Sequence, residues 1–251
     1  MNTRDNTILI TGGATGIGFA LAKAFLNAGN EVIICGRREN RLIEAKNKCP
    51  GLHIKPCDVS EDKDRRGLFH WVESNFNNIN VLVNNAGMQR MIDLKCGARD
   101  LISHDSEIET NLAAPIYLSA YFIPALLKRK ESAIINISSG LGFVPMAVMP
   151  VYCATKAALH SYTLSLRHQL KNTPIKVFEI IPPIVDTELD RGAREARGGG
   201  QKNRGIQAEE VAEATMKALG EDKLETAIGM AQNLVAGSRT NPEQVFLNMN
   251  Q

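Results

Sequence analysis

Short apolar runs rich in β-branched residues alternate with longer stretches of helical periodicity along this chain of 251 residues. The runs are T-I-L-I-T at Thr7–Thr11, E-V-I-I-C at Glu31–Cys35, His53–Pro56, V-L-V-N from Val81, A-I-I-N-I from Ala133 and K-V-F-E-I-I at Lys176–Ile181. A last short strand is expected over Thr226–Gly229. Between them, F-A-L-A-K-A-F-L, a polar stretch ending at Lys48, Asp62–Phe76, Asp105–Lys130, the segment from Val151 and Ala208–Leu219 have helical patterning. Ser60 is placed to cap the third helix, and Pro115 and Pro124 predict kinks in the fourth. Strands that are apolar at every position are buried on both faces, and their alternation with helices predicts βαβ units. The expected fold is therefore α/β: one domain, a doubly wound parallel sheet with helices on both faces.

In such a sheet, ligands bind in the crevice outside the carboxyl ends of the strands. Polar or glycine-rich junctions gather at those ends: Gly12–Gly18, Gly36–Arg37, Asp58, Asn84–Gly87, Ser139 and Pro182–Thr187. Thr11 is followed by G-G-A-T-G-I-G and a helix. Gly12 permits a tight exit from the strand, and Gly16 and Gly18 let a bound group approach the helix N-terminus, where free N–H groups and the macrodipole attract phosphate. After the second strand stand Arg37 and Arg38 with no acid. An acid there would bind a ribose 2′-hydroxyl and an arginine a 2′-phosphate, so the junction favours NADP(H) over NAD(H). Asp58 is within reach of an adenine amino group, and in V-L-V-N-N-A-G the backbone can pass close to a ligand.

The segment Ala133–Ala158 holds the chemistry: a strand ending in Ser138 and Ser139, an uncharged loop, then V-Y-C-A-T-K. Residues four apart on a helix share a face, so Tyr152 and Lys156 are neighbours. An ammonium beside a phenol favours the phenolate and makes Tyr152 a usable general acid or base. Ser139 can hydrogen-bond the same substrate oxygen. Taken alone, a Tyr–Lys pair at this spacing is also a common surface pairing, and an asparagine within a helix, such as Asn111, is usually a local backbone partner.

Lysines and arginines number 29 against 27 acids, and no basic run is interleaved with aromatics, which gives a nucleic-acid partner no support. The uncharged stretch Ser132–Thr155 is broken by glycines, prolines and Asn136, so it is not a membrane span. Five scattered cysteines without C-x-x-C spacing argue for a reducing compartment, the cytoplasm, and against zinc. The five histidines show no metal-ligand spacing and receive no role. Leu118, Tyr121, Phe122, Tyr162 and Leu166 exceed what one buried face needs on the helices Asp105–Lys130 and Val151–Lys171. A homodimer or homotetramer built on those helices is expected. Segment 190–205, rich in glycine and arginine and without apolar periodicity, is expected to be a mobile substrate-side lid.

T-G-G-A-T-G-I-G, N-N-A-G, Ser139 thirteen residues before Tyr152, and Y-C-A-T-K together resemble the short-chain dehydrogenase/reductase family over nearly the whole chain. The tail, G-M-A-Q-N-L and a second short helix, resembles the DltE-type bacterial oxidoreductases. The resemblance implies a single-domain Rossmann fold and hydride transfer between NAD(P)(H) and a small-molecule carbonyl or alcohol substrate. By position, Tyr152 is the acid/base, Lys156 lowers its pKa and holds the nicotinamide ribose, Ser139 orients the substrate oxygen, and Asn111 holds a relay water. Cofactor contacts are implied for Gly12, Thr15, Gly16, Ile17, Gly18, Arg37, Arg38, Asp58 and Val59. Asn85, Ala86, Gly87, Tyr152, Lys156, Pro182, Val185 and Thr187 complete that set. Pro183 stands where the family has glycine, which predicts an altered path near the nicotinamide. The alternative is a cofactor-binding sensor without turnover, which has no need of the full Ser–Tyr–Lys set.

Overall fold

The computed structural model describes residues 1–101, 106–189 and 205–251. Seven parallel strands form one sheet in the order β3-β2-β1-β4-β5-β6-β7. They are β1 Thr7–Thr11, β2 Glu31–Gly36, β3 Leu52–Pro56, β4 Ile79–Asn84, β5 Ser132–Ile137, β6 Ile175–Ile181 and β7 Glu225–Ala227. The helices are α1 Gly16–Asn27, α2 Glu39–Lys48, α3 Asp62–Asn75, α4 Ala114–Leu126, α5 Pro150–Gln169, α6 Ala208–Gly220, α7 Ala231–Thr240 and α8 Pro242–Met249. The chain order reverses between β1 and β4, and this switch point opens the ligand crevice.

Successive side chains of a strand point to opposite faces, and both faces are covered here. Ile8 and Ile10 of β1 pack with Leu21 and Phe25 of α1, Leu42 of α2 and Val211 and Leu219 of α6. Leu9 joins the other core, with Leu68 and Val72 of α3, Leu118 and Phe122 of α4 and Leu166 of α5. That second core corrects the surplus assigned to α4 and α5. Leu118, Phe122 and Leu166 are buried within the chain, and Tyr121 and Tyr162 are half-buried against the same cluster. The exposed large apolar residues of the two helices are Tyr117 and Leu164, with Leu127 just past the end of α4.

Two local expectations also shift. Ser60 does not cap α3: its amide and its hydroxyl both donate to Asp58 Oδ1, at 3.0 and 2.7 Å, and Glu61 takes the cap position. The long fourth helix contains a π-helical turn at Glu109–Ala113, and Pro115 falls in the first turn of the α-helical part that follows. Segment 190–205, expected to be a lid, lies outside the described residues except for Gly205.

Candidate active site

The turn between β1 and α1 has its conformation fixed by glycine. Gly12 and Gly16 have φ of +63° and +55°, a region that L side chains rarely adopt. Gly18 has a further reason: a Cβ there would stand 2.3 Å from Gly12 O and 2.5 Å from Asn85 Nδ2, so the glycine seats α1 against the turn. Thr15 makes no side-chain cap, and Gly16, Ile17 and Gly18 line the crevice with the helix N-terminus uncapped. That arrangement is a ready anion site.

Thr11, which sequence reasoning passed over, holds the neighbouring loop. Its hydroxyl accepts from the amides of Asn85 and Ala86, both at 3.0 Å, and donates to Val83 O at 3.3 Å. Asn85 Nδ2 donates to Thr11 O at 2.9 Å and Gly12 O at 3.2 Å. The asparagine thus clamps the two loops of the switch point together, and Ala86 and Gly87 run along the crevice. The signal for Thr11 in the sequence was a polar residue at the last position of an otherwise apolar strand.

Ser139 leaves the end of β5 in extended conformation, and its hydroxyl accepts from Leu141 N at 3.1 Å. Tyr152 and Lys156 rise from the first turns of α5, both buried, with Lys156 Nζ 5.8 Å from the centre of the Tyr152 ring. Lys156 Nζ donates to Ile137 O at 2.8 Å. Burial pushes its pKa down from 10.5 to about 8, against an opposing pull from the Glu179 carboxylate. Ser139, Tyr152 and Lys156 face one cavity of about 560 Å³ that also contains the glycine turn.

Asn111 is the expected site residue that does not line that cavity. It is fully buried in the π turn, where its Oδ1 accepts from Met88 N at 2.9 Å. Its Nδ2 donates to Met88 O at 2.8 Å and Thr155 Oγ1 at 3.1 Å. Both amide protons are committed to the protein, so the side chain fixes Met88 beside Gly87 and ties it to α5. A π turn inside a helix is often a functional feature.

At the far end of the crevice Arg37, Arg38, Asp58 and Val59 form the mouth. Arg37 Nη1 lies 3.9 Å from Asp58 Oδ2, and Arg38 Nη2 donates to Glu188 Oε2 at 2.9 Å. Beyond β6, Pro182, Val185 and Thr187 also line the cavity. Pro182 O accepts from Gly140 N at 3.2 Å, and Asp186 N donates to Ile206 O at 3.0 Å. With Pro183 in place the segment still brings Thr187 against Gly16, where a Cβ on the glycine would stand 3.0 Å from Thr187 Cγ2. An apolar part of the cavity wall holds Leu141, Met146, Met149, Ile184, Met230, Leu234 and Met249, residues gathered from four separate segments that no local pattern joins.

Residues 6–198 match the family described as short chain dehydrogenase. The chain belongs to the short-chain dehydrogenase family. Membership makes it an NAD(P)-dependent oxidoreductase by type. It is 48% identical over 250 residues to an uncharacterized oxidoreductase DltE of Bacillus subtilis, covering 100% of this chain and 98% of that protein. An uncharacterized oxidoreductase of Staphylococcus epidermidis is 31% identical over 217 residues, covering 86% of this chain and 91% of the relative. Among solved structures, a short chain dehydrogenase from Burkholderia cenocepacia in complex with NADP superposes with a TM-score of 0.83 at 25% identity over the whole of both chains. A serine dehydrogenase complexed with NADP+ gives 0.78 at 28% identity, covering 88% of this chain and 93% of that one. Among the described residues no helix is long and apolar enough to cross a membrane.

Proposed function

We propose that the protein is an NADP(H)-dependent carbonyl reductase or alcohol dehydrogenase in which Ser139, Tyr152 and Lys156 perform the chemistry. The observation that supports this most directly is the convergence of those three side chains, from two elements, on the cavity that holds the glycine turn. The residues present fit the dinucleotide. The uncapped N-terminus of α1 and the positive-φ glycines suit its pyrophosphate, Arg37 and Arg38 suit a 2′-phosphate, and Asp58 and Val59 suit the adenine. When bound, the nicotinamide supplies or accepts the hydride.

The chain's own residues do the rest. Ser139 donates a hydrogen bond to the substrate oxygen and holds it in reach of Tyr152. Tyr152 gives that oxygen its proton in reduction and takes it back in oxidation. Lys156, as the ammonium, favours the phenolate form of Tyr152 and holds the nicotinamide ribose. Asn111 acts by keeping Met88 and α5 in register rather than by presenting its amide to the cavity. The full Ser–Tyr–Lys set favours an enzyme over a cofactor sensor, since binding alone requires no proton donor.

Four methionines and two leucines on the substrate-side wall suit an uncharged, apolar carbonyl, because thioethers adapt to varied shapes. The test is NADPH oxidation against a panel of alkyl and aryl ketones and aldehydes beside 2-oxo acids. Tyr152→Phe is expected to lower turnover by about 10²–10⁴-fold and to leave NADPH affinity nearly unchanged. Retention of most activity in Tyr152→Phe removes the assignment, and tight NADPH binding without turnover of any carbonyl returns the sensor reading.

A further inference from the structure

A buried acid stands behind Lys156. Glu179 lies in the middle of β6, fully enclosed, within the otherwise apolar run V-F-E-I-I. A carboxylate out of water is costly unless a cation or several donors compensate it. One oxygen, Oε2, lies 2.8 Å from His160 Nδ1, and Oε1 has no hydrogen-bond partner among the described residues.

The sheet register explains why neutral groups leave it so. Asn84, Asn136, Glu179 and Glu225 are register partners across β4, β5, β6 and β7. Asn84 Nδ2 donates to Asn136 Oδ1 at 2.9 Å, and Asn136 Nδ2 donates to Thr163 Oγ1 at 2.8 Å. Glu225 is held by Arg239 of α7 at 2.9 Å. The charged and titratable groups facing Glu179 are therefore Lys156 and His160 from α5, Glu225 from β7 and Arg239 behind it. Tyr152, Lys156 and His160 follow one another at four-residue spacing along one face of α5. Lys156 Nζ in turn reaches Ile137 O, one residue beyond the register partner of Glu179.

We propose that Glu179 and His160 are positioning residues, a buried acid and a half-buried histidine that together hold Lys156 as an ammonium beside Tyr152. Burial drives the Lys156 pKa down to about 8, and Glu179 is the group that opposes the fall. The hydrogen bond to Glu179 raises the His160 value in the same way. While His160 is protonated the pair is neutral. When His160 is neutral, the Glu179 charge acts undiminished on Lys156.

The inference rests on the roles given above to Tyr152 and Lys156. Its test is Glu179→Gln, which keeps the shape and removes the charge. Taking away a nearby negative charge lowers the pH at which Lys156 loses its proton, and with it the support that the ammonium gives Tyr152. The alkaline limb of the kcat/KM profile for carbonyl reduction is expected to move to lower pH by at least about half a unit. NADPH affinity, measured by fluorescence titration across the same range, is expected to fall off correspondingly earlier. Glu179→Asp, which retracts the charge by one methylene, should lie between wild type and Glu179→Gln, and it serves if the latter does not fold. A uniform loss of activity with unmoved limbs in both measurements shows a packing role and overturns the pair. If no carbonyl is turned over, the functional reading fails by itself, while the affinity profile still tests the pair. One side-chain nitrogen or oxygen from each of His160, Glu179 and Glu225 lies within 4.8 Å of the others, so a wild-type profile that shifts on adding a chelator would assign them to a cation and overturn the proposal.

Discussion

Arg38 donates to Glu188 at 2.9 Å, and Arg41 donates to the other oxygen of the same carboxylate at 3.1 Å. The end of β2 is thereby tied to the segment beyond β6, with Arg38 and Glu188 both lining the cofactor crevice. On the proposed NADP(H) reading, a 2′-phosphate would compete with Glu188 for Arg38. Glu188→Gln is expected to raise NADPH affinity a few-fold and leave NADH unchanged. Arg37→Ala is expected to cost NADPH about ten- to a hundred-fold, from the roughly 1.5–3 kcal/mol of a charge-assisted hydrogen bond. Fluorescence titration of both reduced cofactors measures each effect. Equal losses for NADPH and NADH in Arg37→Ala would remove the arginine from the phosphate site.

Gly18 and Gly67 make a matched pair for testing the glycine turn. A Cβ on Gly18 meets a backbone oxygen at 2.3 Å, while one on Gly67, exposed in α3, meets nothing within 4 Å. Gly18→Ala is expected to cost about 1–3 kcal/mol by overpacking and to weaken NADPH binding as α1 shifts. Gly67→Ala is expected to add about 0.4–1 kcal/mol, because alanine suits a helix interior and restricts the unfolded chain. Urea denaturation of the two variants checks both signs, and a Gly18→Ala protein of unchanged stability would contradict the packing role.

These positions also show what the sequence makes legible. Strands such as Thr7–Thr11 were readable because a parallel sheet buried on both faces demands uninterrupted apolar runs, and Tyr152 and Lys156 because a helix turn alone sets their adjacency. The expected cofactor residues, from Gly12 to Thr187, all line one cavity, and all but Tyr152 and Lys156 of α5 end or follow a strand of the same sheet. Legibility stopped where partners come from distant segments. Nothing near Glu179 in the chain announces His160, and nothing near Arg38 announces Glu188. Whether Leu118 is surplus or core depends on α3, whose packing against α4 the periodicity of α4 cannot report. The π turn around Asn111 was hidden because its composition does not differ from α-helix.

The proposed homodimer can be tested on the residues that do remain outside. Tyr117, Leu127 and Leu164 are 49%, 43% and 44% exposed, an apolar fringe beside the half-buried Tyr121 and Tyr162. Light scattering at micromolar concentration is expected to give twice the 27.5 kDa chain mass or a higher multiple. Leu164→Glu is expected to shift it toward monomer, since a carboxylate opposed to an apolar partner is unfavourable. A wild-type mass equal to one chain removes the assembly.

Lys156 sets function against stability. It is 5% exposed, and its pKa of about 8 in place of 10.5 corresponds to roughly 3 kcal/mol spent on keeping the ammonium buried at neutral pH. Lys156→Met keeps the aliphatic stem and removes that cost. Two losses offset part of the gain: the Ile137 carbonyl gives up a donor at 2.8 Å, and Glu179 gives up a nearby cation. The cofactor-free variant is therefore expected to be more stable than wild type by about 1–2 kcal/mol at pH 7, while turnover is lost. The sign with pH follows from the lowered value. Below about 8 both states of wild type carry the proton and the penalty is complete. As pH rises from about 8 to 10.5 the folded protein releases the proton first, wild type gains stability relative to its unfolded chain, and the advantage of Lys156→Met shrinks. Urea melts of both proteins at pH 7 and pH 10 measure the change. A variant less stable than wild type at pH 7 would show that the buried ammonium is held by more than Ile137 and Glu179.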